Sequence, residues 1–305
     1  VSQIVAWHFS DPACPWAYSS RPAIARVRWR FGDQLDWRLV LIGLSESTER
    51  YERAGYTPGR AAAGHRKFEE RFGMPFGSGV KSRMAPSTRA CRAVIAAREE
   101  SPELGYAALR AIQIMQFTTT GLLDDDNDLR EALEVVDGLD AAAIVGLIDD
   151  PAIVAIYEED KARTRSAEGR PTHVQNRHSS SDGPVRYTAP SVIFELPDGQ
   201  WLEVGGFQPF ESYDNALANI APELERRPAP ERAADAVLAY PVGLTTAEIA
   251  SIMRGSDLED PDPATAHSEL IAAVDEGELV VEPRGTDAVW RPAAAVPAAA
   301  VPAAA

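Results

Sequence analysis

One stretch limits what this chain can fold into more than any other: His8-Phe9-Ser10-Asp11-Pro12-Ala13-Cys14-Pro15-Trp16-Ala17-Tyr18. An apolar run from Ile4 to Phe9 leads in and reads as a buried strand over 3–9. A polar turn at Ser10-Asp11-Pro12 follows, and then a single cysteine opens a helical segment over 14–31 that Pro22 kinks and Gly32-Asp33 ends. Pro15 suits the first helical turn, where its missing N–H would have no partner. A sulfur at such a position faces unpaired backbone N–H groups and the positive end of the helix dipole, which favour a thiolate. Leu35 to Gly43 alternates and then turns fully apolar, as a second strand does. Strand, helix and strand at this spacing form a βαβ unit whose two strands run parallel.

The pattern changes after Leu44. From about 47 to 182 helical periodicity prevails, with helices expected at 60–72, 87–100, 103–117, 128–136, 140–148 and 151–166. Gly73 to Gly79 reads as a loop whose exposed Met74 and Phe76 line a pocket. The acidic run Asp124-Asp125-Asp126-Asn127-Asp128 reads as a helix cap and lacks calcium-loop spacing. A polar loop over 170–186 holds His173 and His178. One strand over 185–195, a turn at Asp198-Gly199, a returning strand at Trp201 to Val204 and a helix at 208–220 complete a four-stranded α/β unit.

A Pro-rich linker at Arg227-Pro228-Ala229-Pro230 precedes a second unit over 231–292. Its three helices, at 231–239, after Thr245 and at 264–275, and its hairpin at 277–290 look like a winged helix. The tail over 293–305 is low-complexity Ala and Pro.

Composition narrows the function. The formal charge is −16, and the C-terminal unit offers only Arg254 and Arg284 near the elements that would meet DNA, so no nucleic-acid partner is expected. No apolar run reaches membrane-spanning length, and the first residues lead directly into a strand; no membrane partner and a cytoplasmic location are the expectations. Two cysteines, Cys14 and Cys91, make no disulfide framework, and no Cys and His cluster has metal spacing, so no metal is expected. Cys91 lies mid-helix and reads as core.

Asp11-Pro12-Ala13-Cys14-Pro15-Trp16-Ala17-Tyr18 resembles the active-site segment of DsbA-like thioredoxin-fold proteins, especially the FrnE-like group. Tyr187-Thr188-Ala189-Pro190-Ser191 resembles the cis-proline loop that faces the cysteine in that superfamily, and Met115 to Asp124 is similar to actinobacterial members that work with mycothiol. The resemblance covers roughly residues 3–222. It implies a thioredoxin-like domain over 1–225 with its helical insertion at about 47–182, and it leaves 230–305 unexplained. It also implies oxidoreductase chemistry at Cys14, with Pro15, Trp16, Tyr18, Ala189, Pro190 and His8 as the thiol and substrate contacts. His8, within its strand, reads first as a core residue and only second as a group that reaches the sulfur. Arg83, Arg89 and Arg92 are further candidates for a thiol's carboxylate.

This sequence departs from the family where the second cysteine belongs: that position is Ala17. A dithiol enzyme releases its mixed disulfide with that second sulfur, so the expected chemistry is monothiol. Cys14 attacks, and a low-molecular-weight thiol, mycothiol or glutathione, serves as co-substrate with no tightly bound cofactor. The substrate class is then an electrophilic or disulfide compound, and a homodimer stays open. Two alternatives remain. One resembles the kappa-class glutathione transferases and 2-hydroxychromene-2-carboxylate isomerases and acts on a hydrophobic electrophile. The other is a non-enzymatic ligand-sensing or regulatory protein.

Overall fold

In the computed structural model, which describes residues 4–293, the βαβ unit forms as the sequence dictates. Strand β1 (Ile4–Ser10) leads into α1 (Pro15–Ser19) and α2 (Arg21–Phe31), which meet at a break on Ser20 beside Pro22. Strand β2 (Leu35–Leu41) returns parallel to β1, from Ile4 opposite Leu35 to Ser10 opposite Leu41. The expected helices follow as α4 (Pro58–Phe72), α5 (Thr88–Glu100), α6 (Pro102–Thr118), α7 (Asp126–Leu133), α8 (Ala141–Gly146) and α9 (Pro151–Thr164), after a short α3 (Thr48–Arg53) that the sequence pattern does not announce. Then come α10 (Pro171–Val174), a two-residue strand pair β3 (His178–Ser179) and β4 (Arg186–Tyr187), β5 (Ser191–Glu195), β6 (Trp201–Val204) and α11 (Phe210–Ile220).

The single strand expected over 185–195 is two. The cis Ala189–Pro190 peptide lies between β4 and β5, which belong to different sheets. The main sheet runs β2-β1-β5-β6, with β5 antiparallel to both neighbours.

Strand alternation sorts the side chains. Ile4 and Ala6 pack with Val192 and Phe194 against Ile24, Val27 and Phe31 of α2 and Tyr213 and Leu217 of α11. Trp7 and Phe9 point the other way and join Val40, Ile42, Ala167, Tyr187 and Ala189. The helices α5 and α6 build a separate core from residues such as Val94, Ile95, Leu109 and Ile112. At the edge strand β2, Asp160 of α9 accepts a hydrogen bond from the Leu41 N–H (2.8 Å), and Arg98 of α5 donates to the Leu39 carbonyl (2.6 Å). Those two side chains occupy backbone groups that would otherwise offer a template to another strand. Gly43 follows with φ +64°; a Cβ there would sit 2.4 Å from the Tyr157 hydroxyl oxygen.

The C-terminal elements are α12 (Ala233–Leu238), β7 (Leu244–Thr245), α13 (Thr246–Met253), α14 (Pro263–Asp275), β8 (Leu279–Arg284) and β9 (Asp287–Pro292). The strands form a small sheet in the order β7-β9-β8. Their core, with Val237, Ile249, Leu270 and the buried Trp290, includes Ala25 and Trp29 of α2. Thr245 and Glu248 form a reciprocal capping box at the start of α13. Glu248 also crosses to α6, where Arg110 grips it through both nitrogens (2.6 and 2.8 Å). The turn of the β8–β9 hairpin rests on the 74–77 segment: a Cβ on Gly285 would lie 2.5 Å from the Phe76 carbonyl oxygen. Met74 and Phe76 are therefore buried, with Val289 in their cluster, and the exposed pocket lining expected of them is corrected. The Ala/Pro tail expected over 293–305 lies outside the described residues from 294 onward.

Candidate functional site

Cys14 caps α1 with extended backbone (φ −87°, ψ 112°), and the Tyr18 N–H donates to its carbonyl (3.0 Å). The turn before it is organised by Asp11, which is completely buried. One carboxylate oxygen of Asp11 accepts from the Ala13 N–H (2.8 Å). The other accepts from the Leu44 N–H (2.8 Å), the Ser87 hydroxyl (3.2 Å) and the Cys91 thiol (3.5 Å). Its backbone carbonyl receives the Cys14 N–H and the Gln113 side chain, each at 3.2 Å. One aspartate thus fastens the cysteine loop to the segment after β2 and to both α5 and α6. In the sequence Asp11 reads as part of a polar turn; an Asp-Pro pair that begins three residues ahead of a cysteine is the signal for its role.

The Cys14 thiol donates to the Ala189 carbonyl at 3.1 Å, across 175 positions of chain. The cis Ala189–Pro190 peptide thus stands directly against the sulfur, and Ala17 packs in the same cluster as Cys14 and Ala189. Only 6% of Cys14 is exposed. Burial pushes its thiol up to about 12, and Asp11 adds to that; the Ala17 and Trp16 N–H groups and Arg186 pull the other way without prevailing. The thiolate expected from the helix start is therefore corrected. α1 has five residues, and desolvation of a buried anion outweighs what so short a dipole returns. At rest Cys14 is a thiol.

The remaining candidates separate. Pro15 and Trp16 lie at the surface beside Cys14, with Trp16 41% exposed. Its ring meets Phe68 (4.8 Å between centroids) and Phe72 (5.7 Å) of α4, and Phe207 (5.4 Å) from the loop after β6. Phe207 was invisible as a site residue because its segment is distant in sequence. The Ser191 hydroxyl, which accepts from the Gly206 N–H (3.0 Å), holds that loop beside the cis-proline. Tyr18 is completely buried; it stacks on Phe117 and gives its hydroxyl proton to the Pro75 carbonyl (2.9 Å), so it offers nothing to a ligand. His8 points from β1 to the face opposite Phe9 and the Cys14 cluster. There it stacks on Tyr106 and meets Trp37 edge-on, and burial, then Arg28 and Arg21, lower its pKa to about 3. The structure does not bring it to the sulfur.

Arg83, Arg89 and Arg92 are ion-paired with Asp124, with Asp126 and Asp149, and with Asp149. Asp125 caps α7, as the acidic run suggested. Arg186 is buried between Asp182 (2.8 Å) and the Tyr187 carbonyl (3.0 Å), and the Tyr187 hydroxyl donates to Glu203 (2.6 Å). His173 and His178 touch ring to ring at 4.6 Å, and among the described residues no His, Cys, Asp and Glu group is placed to hold a metal. No described helix is long and apolar enough to cross a membrane.

A four-stranded sheet with helices on its faces, and a cysteine at a helix start opposite a cis-proline, defines a thioredoxin-like protein. The chain belongs to the DSBA-like thioredoxin domain family, whose model matches residues 7–188, a family of thiol oxidoreductases. No curated protein matches the sequence. Among solved structures it is similar to a putative protein disulfide isomerase from Nitrosomonas europaea, at 16% identity and TM-score 0.54, over 71% of this chain and 97% of that one. It is also similar to the cytosolic disulfide reductase DsbM from Pseudomonas aeruginosa, at 19% identity and TM-score 0.51, over 71% and 98%; that protein is also solved with GSH. A probable DsbA oxidoreductase from Streptomyces coelicolor matches at 22% identity and TM-score 0.50, over 72% and 91%. At these identities the likeness carries the fold.

Proposed function

We propose that Cys14 is the nucleophile of a monothiol thiol–disulfide reaction whose co-substrate is a low-molecular-weight thiol. The observation that carries this is the contact of the Cys14 thiol with the Ala189 carbonyl beside the cis-proline, in a chain with alanine at position 17. The Cys14 sulfur attacks one sulfur of a disulfide. A new S–S bond forms, the old one breaks, and the leaving thiolate takes the proton that Cys14 releases. A second small thiol then attacks the mixed disulfide and regenerates Cys14. Because burial keeps Cys14 protonated, the resting protein is slow toward unselected electrophiles, and reaction waits for a disulfide seated against it. The Trp16, Phe68, Phe72 and Phe207 rings favour a substrate with an apolar group beside its disulfide.

The GSH complex of the DsbM neighbour supports glutathione or a thiol of that kind, mycothiol included, as the partner, and that neighbour's description as cytosolic supports a cytoplasmic setting. We take residues 1–225 as the catalytic unit and 231–292 as a winged-helix-like packing module. The exposed part of α14, with Thr265, His267, Ser268 and Ile271, carries no Lys or Arg for a phosphate backbone.

The test is turnover of the mixed disulfide between glutathione and 2-mercaptoethanol with reduced glutathione present. The wild-type chain and Cys91→Ala are expected to turn over within threefold of each other, and Cys14→Ser to fall to background. Activity retained in Cys14→Ser overturns the reading.

A further inference from the structure

The turn that ends α10 is fixed against the loop that meets the Cys14 sulfur. The Asn176 N–H donates to the His173 carbonyl and the Arg177 N–H to the Thr172 carbonyl, each at 2.9 Å. Asn176, with φ 56°, takes the left-handed conformation that such a helix ending needs and that asparagine tolerates. Two contacts dock this turn on β6 and the loop after it. The Thr172 N–H donates to Glu203 (2.8 Å), and Gly205 comes so near that a Cβ there would lie 2.6 Å from the Thr172 hydroxyl oxygen. A third contact reaches the cis-proline loop: the Thr188 hydroxyl donates to the Arg177 carbonyl (3.2 Å). A Cβ on Gly206 would lie 3.7 Å from both the Arg177 Cβ and the Thr188 hydroxyl oxygen. Arg177 is thus set beside Thr188 and Gly206. The first adjoins Ala189, whose carbonyl accepts the Cys14 proton, and the second adjoins Phe207 of the ring patch.

The side chain of Arg177 is exposed, and among the described residues its guanidinium has no hydrogen-bond or ion-pair partner. The carboxylates around the turn are engaged elsewhere. Glu203 accepts from the Thr172 N–H and the Tyr187 hydroxyl (2.6 Å), and Asp182 pairs with Arg165 and Arg186. The backbone is therefore held firmly while the charge it carries is left unpaired, one residue from the loop that faces the sulfur. The chain as a whole is at −16, so an anionic thiol that approaches Cys14 needs a local cation to offset the general repulsion. Arg71 of α4, over the Phe72 ring at 5.0 Å, is also without a carboxylate partner among the described residues, but nothing ties it to the cis-proline loop.

We propose that the thiol joined to Cys14 in the mixed disulfide carries a carboxylate and that Arg177 receives it. A carboxylate-bearing peptide thiol such as glutathione is then preferred over a neutral sugar thiol such as mycothiol. Arginine's planar fork suits carboxylate oxygens. The assignment rests on the monothiol reading above and names the co-substrate class of that same site. In the step concerned the Cys14 sulfur bonds to one sulfur of the oxidised thiol, the S–S bond between its halves breaks, and the departing thiolate takes the Cys14 proton. Arg177 moves no proton; it binds the half that stays on Cys14.

The experiment compares the rate of Cys14 adduct formation by two reagents, read by intact mass on the full chain. One is oxidised glutathione; the other is bis(2-hydroxyethyl) disulfide, which has no carboxylate. Arg177→Gln is expected to slow the glutathione adduct about three- to tenfold, the size of an Arg–carboxylate contact near the surface, and to leave the hydroxyethyl adduct within about twofold. Arg177→Lys, which keeps the charge and loses the fork, is expected to recover part of the loss, and Arg177→Glu to slow the glutathione adduct further. Unfolding curves by circular dichroism are expected to match the wild type. Adducts from both reagents with their ratio unchanged in Arg177→Gln, or a selective loss in Arg71→Gln in place of Arg177→Gln, overturn this proposal and leave the monothiol reading standing. No Cys14 adduct from either reagent overturns both.

Discussion

Cys14 and Cys91 are both buried thiols with raised pKa values, and Asp11 lies against the surroundings of each, yet the two regions differ in what the sulfur can reach. Cys91 is wholly enclosed in α5, among Val94, Ile95 and Ile112, and its proton points at Asp11. Cys14 is followed by half-buried Pro15 and exposed Trp16, and its proton points at a backbone carbonyl in a loop from the far end of the domain. Burial raises both pKa values and so cannot separate a structural thiol from a functional one. What separates them is a surface opening onto rings and a backbone acceptor that a substrate can displace.

The largest effect that tests this contrast is chemical. With a pKa near 12, the rate of Cys14 alkylation by iodoacetamide is expected to climb about tenfold per pH unit from pH 7 to 10, because only the thiolate reacts. Peptide mapping should place the label on Cys14 and leave Cys91 unmodified in the folded chain. A plateau near pH 9, the behaviour of an unperturbed cysteine, or labelling first at Cys91 breaks the contrast.

Next in size is the residue the two regions share. Asp11→Asn can present an oxygen to only some of the four donors around its carboxylate, and its own N–H₂ then faces the rest. A loss of about 1–3 kcal/mol in urea unfolding is expected, the cost of buried donors left unpaired. Unchanged stability would mean that Asp11 does not tie the loop to α5.

The smallest effect over the interval tested, pH 6.5 to 5, concerns His8, on the other face of the sheet. Its folded pKa is depressed to about 3, so the stability that its neutral form contributes is present above the unfolded pKa near 6.5. It is lost as pH falls from there toward 3, by up to about 1.4 kcal/mol per pH unit. Between pH 6.5 and 5 the wild-type chain should lose stability relative to His8→Gln. Parallel curves over that interval would place His8 in contact with water.

Local features were legible where local physics decides them. The strand, the Cys-Pro helix start, the parallel partner strand and the Ala-Pro loop are each short patterns, and each formed. Alternation along β1 also held the clue to His8: Trp7 and Phe9 share a face, so the residue between them cannot. Depth was not legible. The burial of Cys14 depends on Ala189, and that of Met74 and Phe76 depends on Val289 and the turn at Gly285, contacts made across the whole chain. The ring patch draws on three segments, and only Trp16 adjoins the motif. The role of Asp11 lies in partners at 44, 87 and 91 that no spacing rule connects to it.

Intact-mass analysis after treatment with excess oxidised glutathione tests the monothiol account most directly. The account predicts one glutathione per chain, on Cys14, removed again by reduced glutathione, and no adduct on Cys14→Ser. An internal Cys14–Cys91 disulfide, seen as the loss of two hydrogens with no adduct retained, or no reaction at all, would contradict it.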